Sequence, residues 1–286
     1  MTSRPSAQDL TLVPASEPAP ERLHAAFIAA FADYLIGPFT LGFEQWPQFR
    51  ARQGVDLALS RVALGADGEI LAFAFVAPRA GCWRLATMGA LPAARGSGAA
   101  PRLLDDFIER ARAAGQGAVE LEVFAQNERA LRLYRGRGFE PLHELQGHVA
   151  APGVVAPAAG AAIRVVPPAE ALAWLEAAEA RIAGLPLQVG AVALRVATGM
   201  TAWQLGRAQL MFGRPDAQQQ IAIASLIDTG PEQADARALV QALRAEFPQA
   251  TLRVPQLQRA DLGGAALRAL GFAPLPLHQL LMRREF

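Results

Sequence analysis

The sequence has no lysine; all 27 of its basic side chains are arginine. That excludes Schiff-base chemistry on a lysine amine. It also excludes a phosphate loop of the kind that ends in Gly-Lys-Ser/Thr. There is one cysteine, Cys82, so no intramolecular disulfide is possible and nothing points to an oxidising compartment. The four histidines, His24, His143, His148 and His278, show no metal-ligand spacing, and no metal is expected. Neither sign of charge is in excess. A net charge of +1 argues against broad electrostatic binding to nucleic acid. No run reaches the roughly 18 apolar residues of a membrane span. The opening "MTSRPSAQDLTLVPASEPAP" lacks the apolar core of a signal peptide. The expectation is a cytoplasmic protein with no membrane and no nucleic acid as partner.

What is present is enough apolar material for one large or two medium domains: 286 residues, 52% of them hydrophobic. Periodicity predicts a strand at 10–16, helices at 20–35 and 43–54 (the second broken by Pro47), and three strands between Leu57 and Leu91. A helix around 99–114, a strand at 118–125 and a short helix at 127–138 follow. The Pro/Ala/Gly-rich stretch 148–162 reads as a stiff linker. The pattern then resumes, and "LYRGRGFEPL" (133–142) matches "ALRALGFAPL" (266–275) at Arg, Gly-Phe and Pro-Leu. The same element order on both sides makes this a domain duplication rather than a solenoid repeat. The expected organisation is one domain over 1–150, a linker over 151–162 and a second domain over 163–286.

One stretch asks for a functional reading. "MGALPAARGSGAAPRLLDDF" (88–107) places Arg95, Gly96, Ser97, Gly98, Ala99 and Ala100 where a helix begins. A helix start presents four unpartnered N–H groups and a partial positive charge, which together suit an anion such as phosphate. Glycine at 96 and 98 allows positive φ and close approach of a ligand. Arg95 adds a permanent charge with a bidentate fork. A plain strand-to-helix turn is the simpler alternative. A dinucleotide fingerprint lacks its third glycine, which is Pro101 here. Glu120 does lie about 20 residues on, so spacing alone leaves a Rossmann-type nucleotide binder open.

The segment from Arg84 to Phe139 resembles the GNAT acetyltransferase superfamily. That family's phosphate loop, Arg/Gln-x-x-Gly-x-Gly/Ala, is met by Arg95, Gly98 and Ala100. Its second signature, Asn-x-x-Ala-x-x-Leu-Tyr-x-x-x-Gly-Phe, is met in full by Asn127, Ala130, Leu133, Tyr134, Gly138 and Phe139. The resemblance covers about residues 8–148, and the whole chain looks like a tandem GNAT protein with a degenerate second copy. It implies an α/β fold with a mixed sheet. Each of the two tandem domains would be a central, mostly antiparallel, twisted sheet flanked by helices.

The resemblance also implies the chemistry: direct acetyl transfer from acetyl-CoA, as co-substrate, to a primary amine, without a metal. The acyl-CoA diphosphate would rest on Arg95, Gly96, Ser97, Gly98, Ala99 and Ala100. The strand through Met88, Gly89, Ala90 and Leu91 would pair with the pantetheine arm, and one of its N–H groups would polarise the thioester carbonyl. Asn127 would bond near that arm, and Tyr134 would protonate the leaving thiolate. For the base, Glu122 is the first candidate and Glu120 the second, since alternation places them on one strand face; a salt-bridged face is the plain alternative. Cys82 reads as a small buried apolar residue rather than an acetyl carrier. Phe31 and Tyr34, with Phe39 and Phe43, line an acceptor pocket or belong to the core.

The second copy reads differently. Its matching place, "SLIDTGPEQADAR", carries Asp228, Glu232 and Asp235, and Leu267 stands where Tyr134 stands. Acids at a helix start satisfy its dipole themselves, so this copy is expected not to bind CoA. The leading reading is therefore a small-molecule N-acetyltransferase, either a monomer with an internal pseudo-dimer or a homodimer. The alternatives are a protein or peptide N-acetyltransferase and a non-catalytic CoA- or acetyl-CoA-binding regulatory module.

Overall fold

The computed structural model describes residues 10–156, 160 and 162–286. The start of the 1–150 segment and positions 157–159 and 161 of the 151–162 stretch lie outside them. The chain forms two compact units. Unit 1 takes the chain up to Glu122, then Asn127–Glu140 and Met282–Phe286; unit 2 takes Val123–Gln126 and Pro141–Leu281.

The first part of the chain forms β1 (Thr11–Pro14), α1 (Pro20–Ala30), α2 (Trp46–Gln53), β2 (Asp56–Leu64), β3 (Ile70–Arg79), β4 (Cys82–Ala90), α3 (Ala99–Ala113), β5 (Ala118–Phe124) and α4 (Glu128–Arg135). The rest forms β6 (Glu140–Ala150), β7 (Arg164–Val166), α5 (Pro168–Glu179), α6 (Ala191–Arg195), β8 (Thr201–Leu205), β9 (Ala208–Phe212), β10 (Gln220–Asp228), α7 (Ala234–Glu246), β11 (Thr251–Arg259), α8 (Gly264–Ala269) and β12 (Ala273–Glu285).

In unit 1, β1 to β4 pair antiparallel in sequence, and β4 then lies parallel to β5. The crossover between β4 and β5 is α3. Its apolar stripe of Leu103, Leu104, Phe107, Ile108 and Ala111 is buried. Full burial of each large side chain in that stripe contributes about 1.5–3 kcal/mol. Leu23 and Phe27 on α1, and Phe31 just after it, pack with Trp46, Phe73 and Phe75. The end of β12, from Met282, closes this unit beside β5.

Unit 2 repeats the scheme. Strands β7 to β10 pair antiparallel in sequence, and β10 runs parallel to β11. The strand beyond β11 is β6, paired antiparallel with it, and Ala273–Leu281 of β12 follows. Each unit is therefore a mixed sheet with helices, as the fold class predicts. Unit 1 closes with Met282–Glu285 of β12, from outside its main run of sequence, and unit 2 closes with Ala273–Leu281, from within its own.

Two local departures from the sequence reading have physical causes. Pro47 does not break its helix; it stands in the first turn of α2, where its missing N–H costs nothing. The first helix stops at Ala30 rather than 35. There the Arg95 guanidinium donates to Ala30 O at 3.3 Å, and Tyr34 N turns to Phe31 O instead. The repeat itself is exact in its turn chemistry. Gly138 and Gly271 both have φ of +77°. Phe139 N donates to Tyr134 O at 3.2 Å, and Phe272 N to Leu267 O at 3.1 Å.

Candidate active site

Unit 1 contains a fork. The β4–β5 register runs from Cys82↔Ala118 to Leu85↔Leu121, while β4 itself continues to Ala90. The β3–β4 pairing shifts register between Phe75 and Val76 and then continues to Ala72↔Ala90. Leu91 N donates to Leu71 O at 2.9 Å. In an antiparallel ladder hydrogen-bonded pairs alternate, so Gly89 also turns its N–H to β3. Met88 and Ala90 turn theirs to the fork. Among Met88–Leu91, the N–H groups turned away from β3 are therefore those of Met88 and Ala90. Gly89 is small for a packing reason: an added Cβ would meet Phe73 at 2.8 Å and Ala30 at 3.0 Å.

Beyond a short 3-10 turn at Pro92–Ala94, the loop opens α3. Gly96 and Gly98 adopt φ of +87° and +88°, the left-handed region that glycine reaches without strain. Gly98 is the N-cap and has no side chain to fill the helix end. Ser97 is buried, and its Oγ accepts from Ala99 N at 3.3 Å. Pro101 has no N–H to leave orphaned in this first turn.

Arg95 is already engaged. Its two terminal nitrogens hold Asp33 at 2.5 and 2.6 Å. That ion pair keeps the Asp33 carboxyl below its usual range. Sequence reading missed Asp33, because 62 residues separate it from Arg95 and no spacing rule links them.

Asn127 is the chain's one asparagine. It caps α4, its Oδ1 accepting from Ala130 N at 3.2 Å. Tyr134, on the same helix, is buried. Burial pushes its phenol well above the ordinary value, and neighbouring Tyr34 adds to this. Tyr34 packs edge-on against Phe31 at 4.9 Å. Phe31 itself is buried among Phe27, Phe39 and Phe73. Of the two acceptor candidates, Phe31 is therefore a core residue, and Tyr34 packs at its edge.

Residues 30–34 join these parts. Ala30 packs at Gly89, Asp33 holds Arg95, and the Tyr34 phenol acts electrostatically on Tyr134.

Glu120 and Glu122 form a buried ion network. Arg84 holds Glu120 at 2.9 Å and Glu122 at 2.6 Å, and Arg283 holds the other oxygen of Glu120 at 2.8 Å. The plain alternative for this face, a salt-bridged one, is what the structure shows. Glu122 is anchored to Arg84 just past the last paired residue of β5, at the fork. Neither Arg84 nor Arg283 was legible as part of the site, since their partners lie on other strands. Cys82 has its thiol pushed up to about 12 by burial and the Glu120 charge. Among the described residues, no three His, Cys, Asp or Glu side chains gather as a metal site. None of their helices is long and apolar enough to cross a membrane.

Residues 22–139 match the acetyltransferase (GNAT) family. No curated protein matches the chain in sequence. Solved structures share its fold. A GCN5-related N-acetyltransferase from Sphaerobacter thermophilus is 17% identical with a TM-score of 0.65, over 98% of this chain and 96% of that one. One from Anabaena variabilis is 14% identical with a TM-score of 0.67, over 96% and 72%. A tandem GNAT protein from the clavulanic acid biosynthesis pathway is 16% identical with a TM-score of 0.61, over 96% and 98%. Residues 22–139 thus belong to the acetyltransferase (GNAT) family, within a chain that has the fold of tandem GNAT proteins.

Proposed function

We propose that unit 1 is an N-acetyltransferase that moves an acetyl group from acetyl-CoA directly to the primary amine of a small molecule. The observation that carries this reading is the loop at Arg95–Ala100. Two glycines at positive φ lead into α3 with no side chain at its N-cap, Gly98, in a segment that matches the acetyltransferase family. A diphosphate meets the donors it needs there: first-turn N–H groups and the helix dipole. Arg95 would exchange Asp33 for phosphate oxygens. That exchange costs little, because Asp33 is more than half exposed and such pairs are weak.

Acetyl-CoA supplies an activated acetyl carbon with a thiolate leaving group. The protein's own groups then divide the work. The N–H groups of Met88 and Ala90 face the fork and donate to the arm and to the thioester oxygen. One such oxyanion contact is typically worth about 3–4 kcal/mol. The amide NH2 of Asn127 is the part left for the ligand, because its oxygen caps α4. Tyr134 keeps its proton at neutral pH and donates it to the departing sulfur. Glu122, at the fork, is the carboxylate placed to receive the amine's proton, and Tyr34 forms the acceptor side.

Unit 2 does not hold CoA in this reading, and the protein acts in the cytoplasm.

Calorimetry with acetyl-CoA, CoA and NAD tests the binding class. One acetyl-CoA per chain is expected, with binding weakened by more than about tenfold in Arg95→Glu. Absence of acetyl-CoA binding, or binding indifferent to that change, would sink the proposal. A thiol-release screen against aliphatic and aromatic amines, aminoglycosides and short peptides then identifies the acceptor class.

A further inference from the structure

The last strand of the chain reaches the two groups assigned to proton transfer by separate routes. Arg283 Nη1 donates to Glu120 Oε1 at 2.8 Å, and its Nε holds Glu285 at 2.5 Å. Glu120 passes the contact on through its other oxygen to Arg84, 2.9 Å away, and Arg84 holds Glu122 at 2.6 Å. The side chains of Arg84 and Glu120 are only 6% and 4% exposed. Next along the strand, Arg284 Nη1 donates to Arg137 O at 2.6 Å. That carbonyl lies in the turn after α4, where Arg137 N and Phe139 N both bond to Tyr134 O at 2.9 and 3.2 Å. Successive strand residues point to opposite faces. One strand of this kind can therefore brace a carboxylate on one side and a helix end on the other.

A chain of buried charges is a costly way to stabilise a sheet. Apolar residues of similar volume often do as well or better. What such a chain does provide is a fixed place for its last member. Glu122 is that member, and it stands just past the final β4–β5 pair, Leu85↔Leu121.

We infer that Arg283 and Arg284 are positioning residues of the acetyl-transfer site, Arg283 fixing Glu122 through Glu120 and Arg84, and Arg284 fixing Tyr134 through the turn that ends α4. The site in unit 1 is then incomplete without the chain's last residues. This rests on the proposed roles of Glu122 and Tyr134.

The test uses the full chain with Arg283→Gln, Arg283→Lys and Arg284→Gln. Two quantities are measured: kcat and KM for acetyl-CoA with the best amine of the screen, and amide hydrogen exchange over 118–122 and 134–139 in the ligand-free protein. A loosened carboxylate or tyrosine costs kcat, about tenfold to a hundredfold for a misplacement near 1 Å. KM for acetyl-CoA stays within about twofold, since the loop at 95–100 is untouched. Exchange rises over 118–122 in Arg283→Gln and over 134–139 in Arg284→Gln. Arg283→Lys recovers part of kcat, because one ammonium cannot reproduce the fixed fork that meets both Glu120 and Glu285. Should the glutamine variant not fold, the lysine variant carries the test, with kcat expected severalfold below wild type. Wild-type kcat in every variant that folds overturns the inference. Glu122→Gln and Tyr134→Phe separate the two levels. Full kcat in both removes the assigned roles, whereas loss there with none in Arg283→Gln and Arg284→Gln removes only the positioning.

Discussion

The two helix starts that follow β4 and β10 occupy the same place in their units, and they are built in opposite ways. At α3 the chain uses glycine: Gly96 and Gly98 sit at positive φ, the N-cap Gly98 has no side chain, and Ser97 Oγ takes the N–H of Ala99 alone. At α7 the chain fills the same place with itself. Asp228 accepts from Gly230 N at 2.7 Å and from Ala236 N at 2.8 Å, so a built-in carboxylate stands where an anion would bind. Gln233, itself forced to φ of +50°, ties Ala260 O to Ala266 N. The fork beyond the β10–β11 register, which ends at Ala222↔Arg253, is bridged by Gln258 Nε2 donating to Leu226 O and Leu262 O. One duplicated scaffold thus yields an open helix end and a sealed one. Satisfied polar groups, rather than a change of fold, make the difference.

The largest effect that can break this comparison lies at Tyr134 and its counterpart Leu267. General acid catalysis contributes about 10²–10⁴-fold, so Tyr134→Phe lowers kcat by at least about a hundredfold in the thiol-release assay. Leu267→Tyr restores no activity to unit 2, because its fork stays bridged. Full turnover in Tyr134→Phe would make the phenol a core residue only.

Next in size is the contrast between Arg95 and Asp228. Arg95→Glu weakens acetyl-CoA binding by more than about tenfold, since it removes one charge-assisted contact and adds a like charge beside the diphosphate. Asp228→Ala leaves the affinity and the one-per-chain stoichiometry unchanged. It removes two hydrogen bonds, one of them buried and made to the first turn of α7, and lowers stability by about 2 kcal/mol. Calorimetry with acetyl-CoA and urea unfolding read the two effects. A second binding site appearing in Asp228→Ala would show that the carboxylate alone had closed unit 2.

The order of elements was legible because periodicity is local. The stripe of Leu103, Leu104, Phe107 and Ile108 and the alternation of 118–124 specify their own helix and strand. The loop at 95–100 was legible as a local glycine pattern at a helix start, and the Asn127–Phe139 signature only through its resemblance to the family. Contacts between distant segments were not. Nothing near Arg95 announces Asp33, and nothing near Glu122 announces Arg84 or the terminal Arg283. Helix ends were misjudged where a side chain from elsewhere takes a carbonyl, as Arg95 does at Ala30. The destination of the last strands was hidden too, because β6 and the end of β12 read alike as sequence.

The smallest effect separates the two units by pH. One strand of each unit carries different chemistry: ion-paired Arg283 on β12 in unit 1, and His148 on β6 in unit 2. His148 is fully buried on β6 opposite Val254. Neither of its ring nitrogens has a hydrogen-bond partner among the described residues. Burial, helped by the Arg268 charge, holds its pKa below the ordinary 6.5. The folded protein therefore keeps this ring neutral where the unfolded chain would protonate it. Its contribution to stability is complete above the unfolded value and is lost as pH falls from there toward the folded one. The loss is at most about 1.4 kcal/mol per pH unit. Between neutral pH and about pH 5.5, amide exchange should rise first over β6, β10 and β11, with unit 1 protected. Replacing the ring in His148→Leu removes that acid sensitivity while leaving acetyl-CoA binding intact. If unit 1 opens first, or if the leucine variant keeps the same acid profile, the buried imidazole is not the group that sets unit 2's lower acid limit.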